Sequence, residues 1–234
     1  MSMHINLSRR LKLIANEVKK GAKIADIGTD HAYIPIYLVQ NKLVDYAYAC
    51  DIKEGPLLAA KENIAAYGCD EKIETRLSNG LQAMKTGEFD TVIIAGMGGE
   101  LIRDILSAGE HLRTKDIEYI LSPHSKLNEF RAYLREKNYE VLKEFMLKCS
   151  GKFYTVIKAV YNPDFKPDYK ADKYELYDTF GYYLIKNKDG VLHEYLLKEE
   201  KKYENIIKGL KSKADEESLS HKLRIIKEAL YEMQ

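Results

Sequence analysis

The residues best placed for chemistry in this 234-residue chain lie in ADIGTDHAYIPIYL, residues 25–38. An apolar run leads to Asp26, then to Gly28, and then directly toward a new helix. A first strand that opens into a tight loop presents backbone N–H groups at the carboxyl edge of a sheet, where open α/β folds bind ligands. Gly28 lets the chain turn and approach a ligand with no Cβ in the way. Asp30, His31 and Tyr33 stand where a dinucleotide-binding GxGxxG turn would carry further glycines. A pyrophosphate would meet Asp26 and Asp30 unfavourably. A sulfonium donor with a cationic methionyl end tolerates both carboxylates, so the loop favours S-adenosylmethionine over a nicotinamide dinucleotide.

Three later strand ends add candidates. Asp51 lies 23 residues beyond Gly28, where an acid can accept hydrogen bonds from both ribose hydroxyls; the alternative is an Asp that favours a helix start. The third strand runs into Ser78-Asn79-Gly80. There Asn79 can reach an adenine edge or cap a helix beginning near Leu81, and both readings stay open. The fourth gives IIAGMGGELI, residues 93–102. Gly96, Gly98 and Gly99 leave backbone bare where donor and acceptor must meet, and Met97 offers an apolar wall. A packing turn is the plainer alternative for these glycines.

The elements that must position these residues alternate in period. Short apolar runs at 22–27, 44–50, 72–77, 89–96 and 117–121 are separated by helical segments that include 56–67, 99–106 and 127–137. This pattern predicts a mostly parallel sheet covered on both faces. The runs at 140–149 and 153–161 are joined by Ser150-Gly151-Lys152, too short for a parallel crossover, so the sheet should end in a hairpin with one reversed strand. Residues 162–172, with two prolines and several charges, read as a linker. Tyrosines then crowd at 169, 174, 177, 182 and 183. Leu192, Leu196, Tyr203, Ile206 or Ile207, and Leu210 mark one helical face. Leu219, Leu223, Ile226, Leu230 and Met233 step as a coiled-coil seam, and the polar stretch between lets the two helices fold back. The expected division is 1–161 as the donor-binding domain and 162–234 as a helical coiled-coil hairpin domain.

A formal charge of +1 neither predicts nor excludes a nucleic-acid partner. Positive charge does gather in the leading segment, where Arg9, Arg10, Lys12, Lys19 and Lys20 face only Glu17; this reads as a basic amphipathic helix, not a signal peptide. An ordinary solvated face is the alternative. No apolar run approaches a bilayer span. Cys50, Cys69 and Cys149 form no CxxC pair, which points to a reducing, cytoplasmic setting and away from a zinc site.

With these stretches in view, the chain resembles the bacterial tRNA adenine-22 N1-methyltransferases. The resemblance is carried by LSRRLKLIA (7–15), residues 25–38, EGPLLAAKENI (54–64), RLSNGL (76–81), IAGMGGELI (94–102) and GKFYTVIKA (151–159), in order along the whole chain. It implies a Rossmann-like methyltransferase domain with a C-terminal coiled coil, S-adenosylmethionine as donor, and a tRNA D-loop adenine as acceptor. It also implies Asp26, Gly28 and His31 near the methionyl part, Asp51 near the ribose, and the 96–99 loop facing the target base; Thr29, Ile52, Ser78, Asn79, Gly80 and Gly96 are further candidates for the donor site. Four positions depart from the family pattern: Ser122 and His124, where Ser122-Pro123-His124 stands for Gln-Pro-Asn, Asn79 for an acid before Gly80, and Cys50 for an acid before the second-strand carboxylate.

Adenine N1 carries its own lone pair, so transfer needs alignment and exclusion of water more than a strong base. Asp30 is then a candidate to steady the developing cation, or else to fix the first loop; Gly96 and Met97 face the reacting centre. Arg9, Arg10, Lys12 and Arg131 are candidates for phosphates, Gly98 and Gly99 for the target base, and Tyr33 or Tyr154 for stacking on a flipped base. No metal is expected, and the chain reads as a monomer or weak homodimer. A different acceptor, or a non-catalytic protein keeping the fold, are the other readings.

Overall fold

The computed structural model describes residues 4–209 and 213–234. Seven strands form one sheet in the order β3-β2-β1-β4-β5-β7-β6. They are β1 Ala22–Ile27, β2 Val44–Asp51, β3 Ile73–Leu77, β4 Thr91–Met97, β5 Glu118–Pro123, β6 Tyr139–Cys149 and β7 Lys152–Tyr161. The first five run parallel, and β7 is antiparallel to both β5 and β6. This is the expected Rossmann-like sheet with one reversed strand. The β6–β7 turn is made by Ser150 and Gly151, both at positive φ, the geometry that matches strand twist in a tight hairpin.

Five helices flank the sheet: α1 Arg9–Asn16, α2 Tyr33–Gln40, α3 Glu54–Ala66, α4 Gly99–Ala108 and α5 Leu127–Glu136. On one face Ile14, Ile36, Leu38, Ala60 and Ile64 pack against Ile24 and Ile93. On the other, Leu81, Ile102, Leu106, Phe130 and Leu134 pack against Ile27, Ile94 and Leu121. Because both faces are covered, residues 24–27 of β1 and 91–94 of β4 are buried without alternation.

The leading basic helix is shorter than its sequence suggested. It starts only at Arg9, where the Ser8 hydroxyl accepts from the Leu11 N–H. The helix anticipated near Leu81 is absent; residues 79–88 run as turns and short loops.

Four further helices follow: α6 Tyr174–Phe180, α7 Tyr182–Lys186, α8 Gly190–Lys208 and α9 Lys213–Glu232. They close around their own apolar cluster of Leu176, Leu184, Leu192, Leu196, Ile226 and Met233. Lys227 on α9 reaches Glu204 on α8 at 2.9 Å. The buried stripe of α9 is Ile225, Ile226, Ala229 and Met233, whereas Leu219, Leu223 and Leu230 are half-buried. A strict two-helix seam misses Ile225 and Ala229 because α9 packs on α6 and α7 as well as α8. Leu210 lies outside the described residues. The segment expected as a linker is anchored: Asn162 donates to Glu140 at 2.7 Å, and Tyr169 packs against Tyr177 and Tyr182 at 4.6 and 4.8 Å between centroids. Among the described residues no helix is long and apolar enough to cross a membrane.

Candidate active site

The chain order reverses between β1 and β4, so their carboxyl ends splay and leave a crevice. A cleft of ≈ 350 Å³ sits there, lined by Asp26, Gly28, Asp30, Tyr33, Asp51, Gly96 and Met97, with Arg10 at one wall. Sequence reasoning missed its remaining walls, Leu11, Ile34, Ala95 and His124.

The β1 loop is held from below. Gly28 and Thr29 both donate N–H bonds to the Cys50 carbonyl at 2.8 Å. The Thr29 hydroxyl donates to Asp26 at 2.7 Å. Gly28 sits at φ +74°, and a Cβ there would lie 2.0 Å from the Met97 methyl; only glycine keeps both. His31 and Ala32 follow at φ 60° and 55°, two adjacent left-handed residues that store strain at the turn into α2. The His31 carbonyl is tied by Asn63 at 3.1 Å, and its ring stacks on Tyr33 at 5.2 Å. Asp30 is exposed and pairs with His31 at 3.2 Å. Among the described residues its carboxylate accepts no hydrogen bond from a backbone N–H.

Asp51 spends one oxygen on the Lys53 N–H at 2.9 Å and turns toward the cleft. It does not cap α3, whose first flanking residue is Lys53. Beside it, Ile52 and Leu77 are 59% and 54% exposed. Apolar side chains this bare at neighbouring strand ends suit the cover of a planar ring. Ser78 is buried, bonding Gly80 and Ala83. Asn79 is exposed and caps nothing, which leaves its amide free for a ligand edge.

Gly96 supplies the bare backbone of the cleft. It is exposed at φ +83°, with no atom within 4 Å of a built Cβ, and it forms a bulge where β4 skips from Ala95 to Met97 against β5. Gly98 and Gly99 correct the sequence reading. Their bare sides face the loop after β5, since a Cβ on Gly99 would meet the Ser125 carbonyl at 2.7 Å and one on Gly98 the Ser125 hydroxyl at 3.0 Å. Their missing side chains allow close packing on this loop and do not widen the cleft.

Arg131 is the clearest correction. It is buried and donates to Glu144 at 2.7 Å and to the Asp178 and Thr179 carbonyls at 3.1 and 3.0 Å. With its Nε and Nη1 donors bound inside and a side chain only 6% exposed, this guanidinium is a structural tie and not part of an open phosphate-facing surface. Arg9 and Lys12 are exposed on α1, and Arg10 is half-buried at the cleft.

Burial pushes the Asp26 carboxyl up to about 6; the Thr29 hydrogen bond pulls it down and the charge of Asp51 raises it again. A folded-state value above the unfolded one gives stability that is full below about pH 4 and is lost as pH rises through about 6. Asp26→Asn is therefore expected to raise the melting temperature of the unliganded protein at pH 8, by a gain on the order of 1–3 kcal/mol, and to leave it nearly unchanged at pH 4. Equal melting temperatures at pH 8 would contradict the burial argument.

Residues 7–157 match the methyltransferase domain family. The tRNA (adenine(22)-N(1))-methyltransferase of Bacillus subtilis is 34% identical over 220 residues, covering 94% of this chain and 92% of that protein. The crystal structure of the B. subtilis m1A22 tRNA methyltransferase TrmK superposes with a TM-score of 0.83 at 30% identity, over 97% of this chain and 100% of that one. The structure of M. capricolum TrmK in complex with the cofactor product S-adenosyl-homocysteine gives the same TM-score and identity, over 97% and 99% of the two chains. A Rossmann-like sheet opening at β1 and β4, an acid at the end of β2, and similarity spanning nearly the whole length converge on one conclusion: the chain belongs to the tRNA (adenine(22)-N(1))-methyltransferase family.

Proposed function

We propose that this protein transfers a methyl group from S-adenosylmethionine to N1 of adenine 22 in tRNA. The observation that carries the reading is the convergence of the β1, β2 and β4 ends on one cleft, where Asp26, Gly28, Asp51 and Gly96 come together. When bound, S-adenosylmethionine supplies an electrophilic methyl group. Asp26, Gly28, Thr29 and His31 would hold its methionyl end, and Asp51 its ribose. Ile52, Leu77 and Asn79 would cover the adenine, with Ser78 and Gly80 shaping that turn. The residues fit the donor: Asp26 and Asp51 suit a cation and a diol, and Gly96 leaves a cradle that a Cβ would narrow.

The acceptor side needs no strong base, because N1 offers a lone pair. What this chain supplies is alignment and exclusion of water. Met97 closes the wall over Gly28. Tyr33, 39% exposed and backed by His31, offers a flat face for a base drawn out of its stack. Asp30 stands exposed beside this face and can steady the positive charge that develops on the methylated ring. Arg9, Arg10 and Lys12 would meet phosphates. The described helices α6 to α9 pack on an apolar stripe used within the chain, which suits a monomer or weak dimer. The working compartment is the cytoplasm, where tRNA and donor occur together.

Labelled donor and two tRNA transcripts test the reading, one natural and one with A22 replaced by G. Transfer to the first alone is the expected result. Equal labelling of both would remove the assigned site, and labelling of a small molecule or protein without RNA would favour a different acceptor.

A further inference from the structure

The end of β5 carries an imidazole that none of these steps uses. His124 lines the cleft, and its backbone N–H donates to the Met97 carbonyl at 2.8 Å. The ring is thereby tied to the turn that flanks Gly96. Arg10 Nη1 lies 3.2 Å from His124 Nε2. A guanidinium has donors only, so Nε2 carries a lone pair and the ring proton sits on Nδ1. Tyr154 meets the ring edge-on at 5.5 Å between centroids, and Arg10 lies 5.4 Å from the Tyr154 centroid. Lost hydration, then the charges of Arg10 and Lys152, hold the imidazole below its ordinary pKa.

Arg10 itself is unbalanced. Five of the eight arginines pair with carboxylates, namely Arg76, Arg103, Arg113, Arg131 and Arg135. Arg10 has no carboxylate partner among the described residues, and neither do Arg9 and Lys12 beside it. A guanidinium resting on a neutral imidazole would exchange it for a phosphate, whose charge-assisted hydrogen bonds are stronger.

We infer that His124 reads the acceptor base: when an RNA phosphate draws Arg10 away, Nε2 accepts a hydrogen bond from the exocyclic amino group of adenine and turns N1 toward the donor methyl. This rests on the adenine-N1 reading above. In the transfer the N1 lone pair forms the new N–C bond while the C–S bond breaks and its electron pair stays on sulfur; no proton needs to leave. Positive charge then spreads onto the amino nitrogen. The hydrogen bond to His124 strengthens as that charge grows, so it acts mainly in the transition state. His124 is exposed, and its replacement leaves the core intact.

The test uses the full chain and two ligated tRNAs, one with adenosine at the target position and one with purine riboside, which keeps N1 and lacks only the amino group. Wild-type protein should favour adenosine by a kcat/KM ratio that falls about tenfold in His124→Ala, the scale of one hydrogen bond. His124→Gln, whose amide oxygen also accepts, should restore much of the ratio. Arg10→Ala should keep the ratio but weaken tRNA binding, with a salt slope shallower by about one. An unchanged ratio in His124→Ala overturns the assignment while wild-type transfer to adenosine leaves the activity standing. No transfer by wild-type protein to either RNA overturns the activity, and the assignment with it.

Discussion

Gly28→Ala should lower affinity for S-adenosylmethionine by roughly tenfold to a hundredfold, the equivalent of about 1.4–2.8 kcal/mol. Two separate effects act at this position. The backbone stands at φ +74°, which costs an L-residue about 1–2 kcal/mol. The added Cβ would also fall 2.0 Å from the Met97 methyl. That methyl is the far end of a flexible side chain, so it moves; the open space beside it is the cleft next to Gly96. The displaced thioether then occupies volume that the donor needs. Titration with S-adenosylhomocysteine separates the two effects. Gly28→Ala combined with Met97→Ala should recover the steric part and leave the backbone part. An affinity for the single variant within twofold of wild type would show that Met97 does not wall the donor site.

The largest expected loss of stability is at Arg131. Removing its guanidinium leaves Glu144 buried without its partner, with side-chain exposures of 6% and 2% for the pair. It also strips the Asp178 and Thr179 carbonyls of their donor. Breaking a buried pair in this way costs about 3–5 kcal/mol, which for a chain of this size lowers the melting temperature by roughly 6–20 °C. Arg131→Met with Glu144→Leu should cost much less, because no lone charge remains inside. The salt dependence of tRNA binding should stay unchanged in both. A stable Arg131→Ala protein with weakened RNA binding would return the residue to the RNA surface.

The contrast between these two positions shows what a sequence reveals. Gly28 was legible because its role is local: a strand, a turn and a helix start follow one another within a few residues. The strand ends at Asp51 and Gly96 were legible for the same reason. The parallel strands and the presence of one reversed strand followed from loop lengths, since Ser150-Gly151-Lys152 cannot make a parallel crossover; the strand order did not, and only the structure gives it.

What stayed hidden depends on contacts far apart in the chain. On α5 the buried residues are Phe130, Arg131, Tyr133 and Leu134, and nothing in that helix announces that Glu144 and the last turn of α6 await the arginine. Gly99 looked like a cleft residue because its partner, Ser125, comes from the next strand end. His124 was visible as a departure from the family pattern, but its pairing with Arg10 bridges 114 positions. Asn79 failed differently. Its cap reading required a helix at Leu81, and the residues that follow run as turns. Ile225 and Ala229 escaped the seam because α9 serves three helical neighbours, which a two-stranded period cannot express.

Nucleoside-resolved mass spectrometry of tRNA after one round of methylation tests the central claim most directly. A pocket that aligns a neutral ring nitrogen, without a strong base, should yield 1-methyladenosine at position 22 and no other methylated nucleoside. Methyl on N6 of that adenine, or on any other residue of the tRNA, would contradict the account.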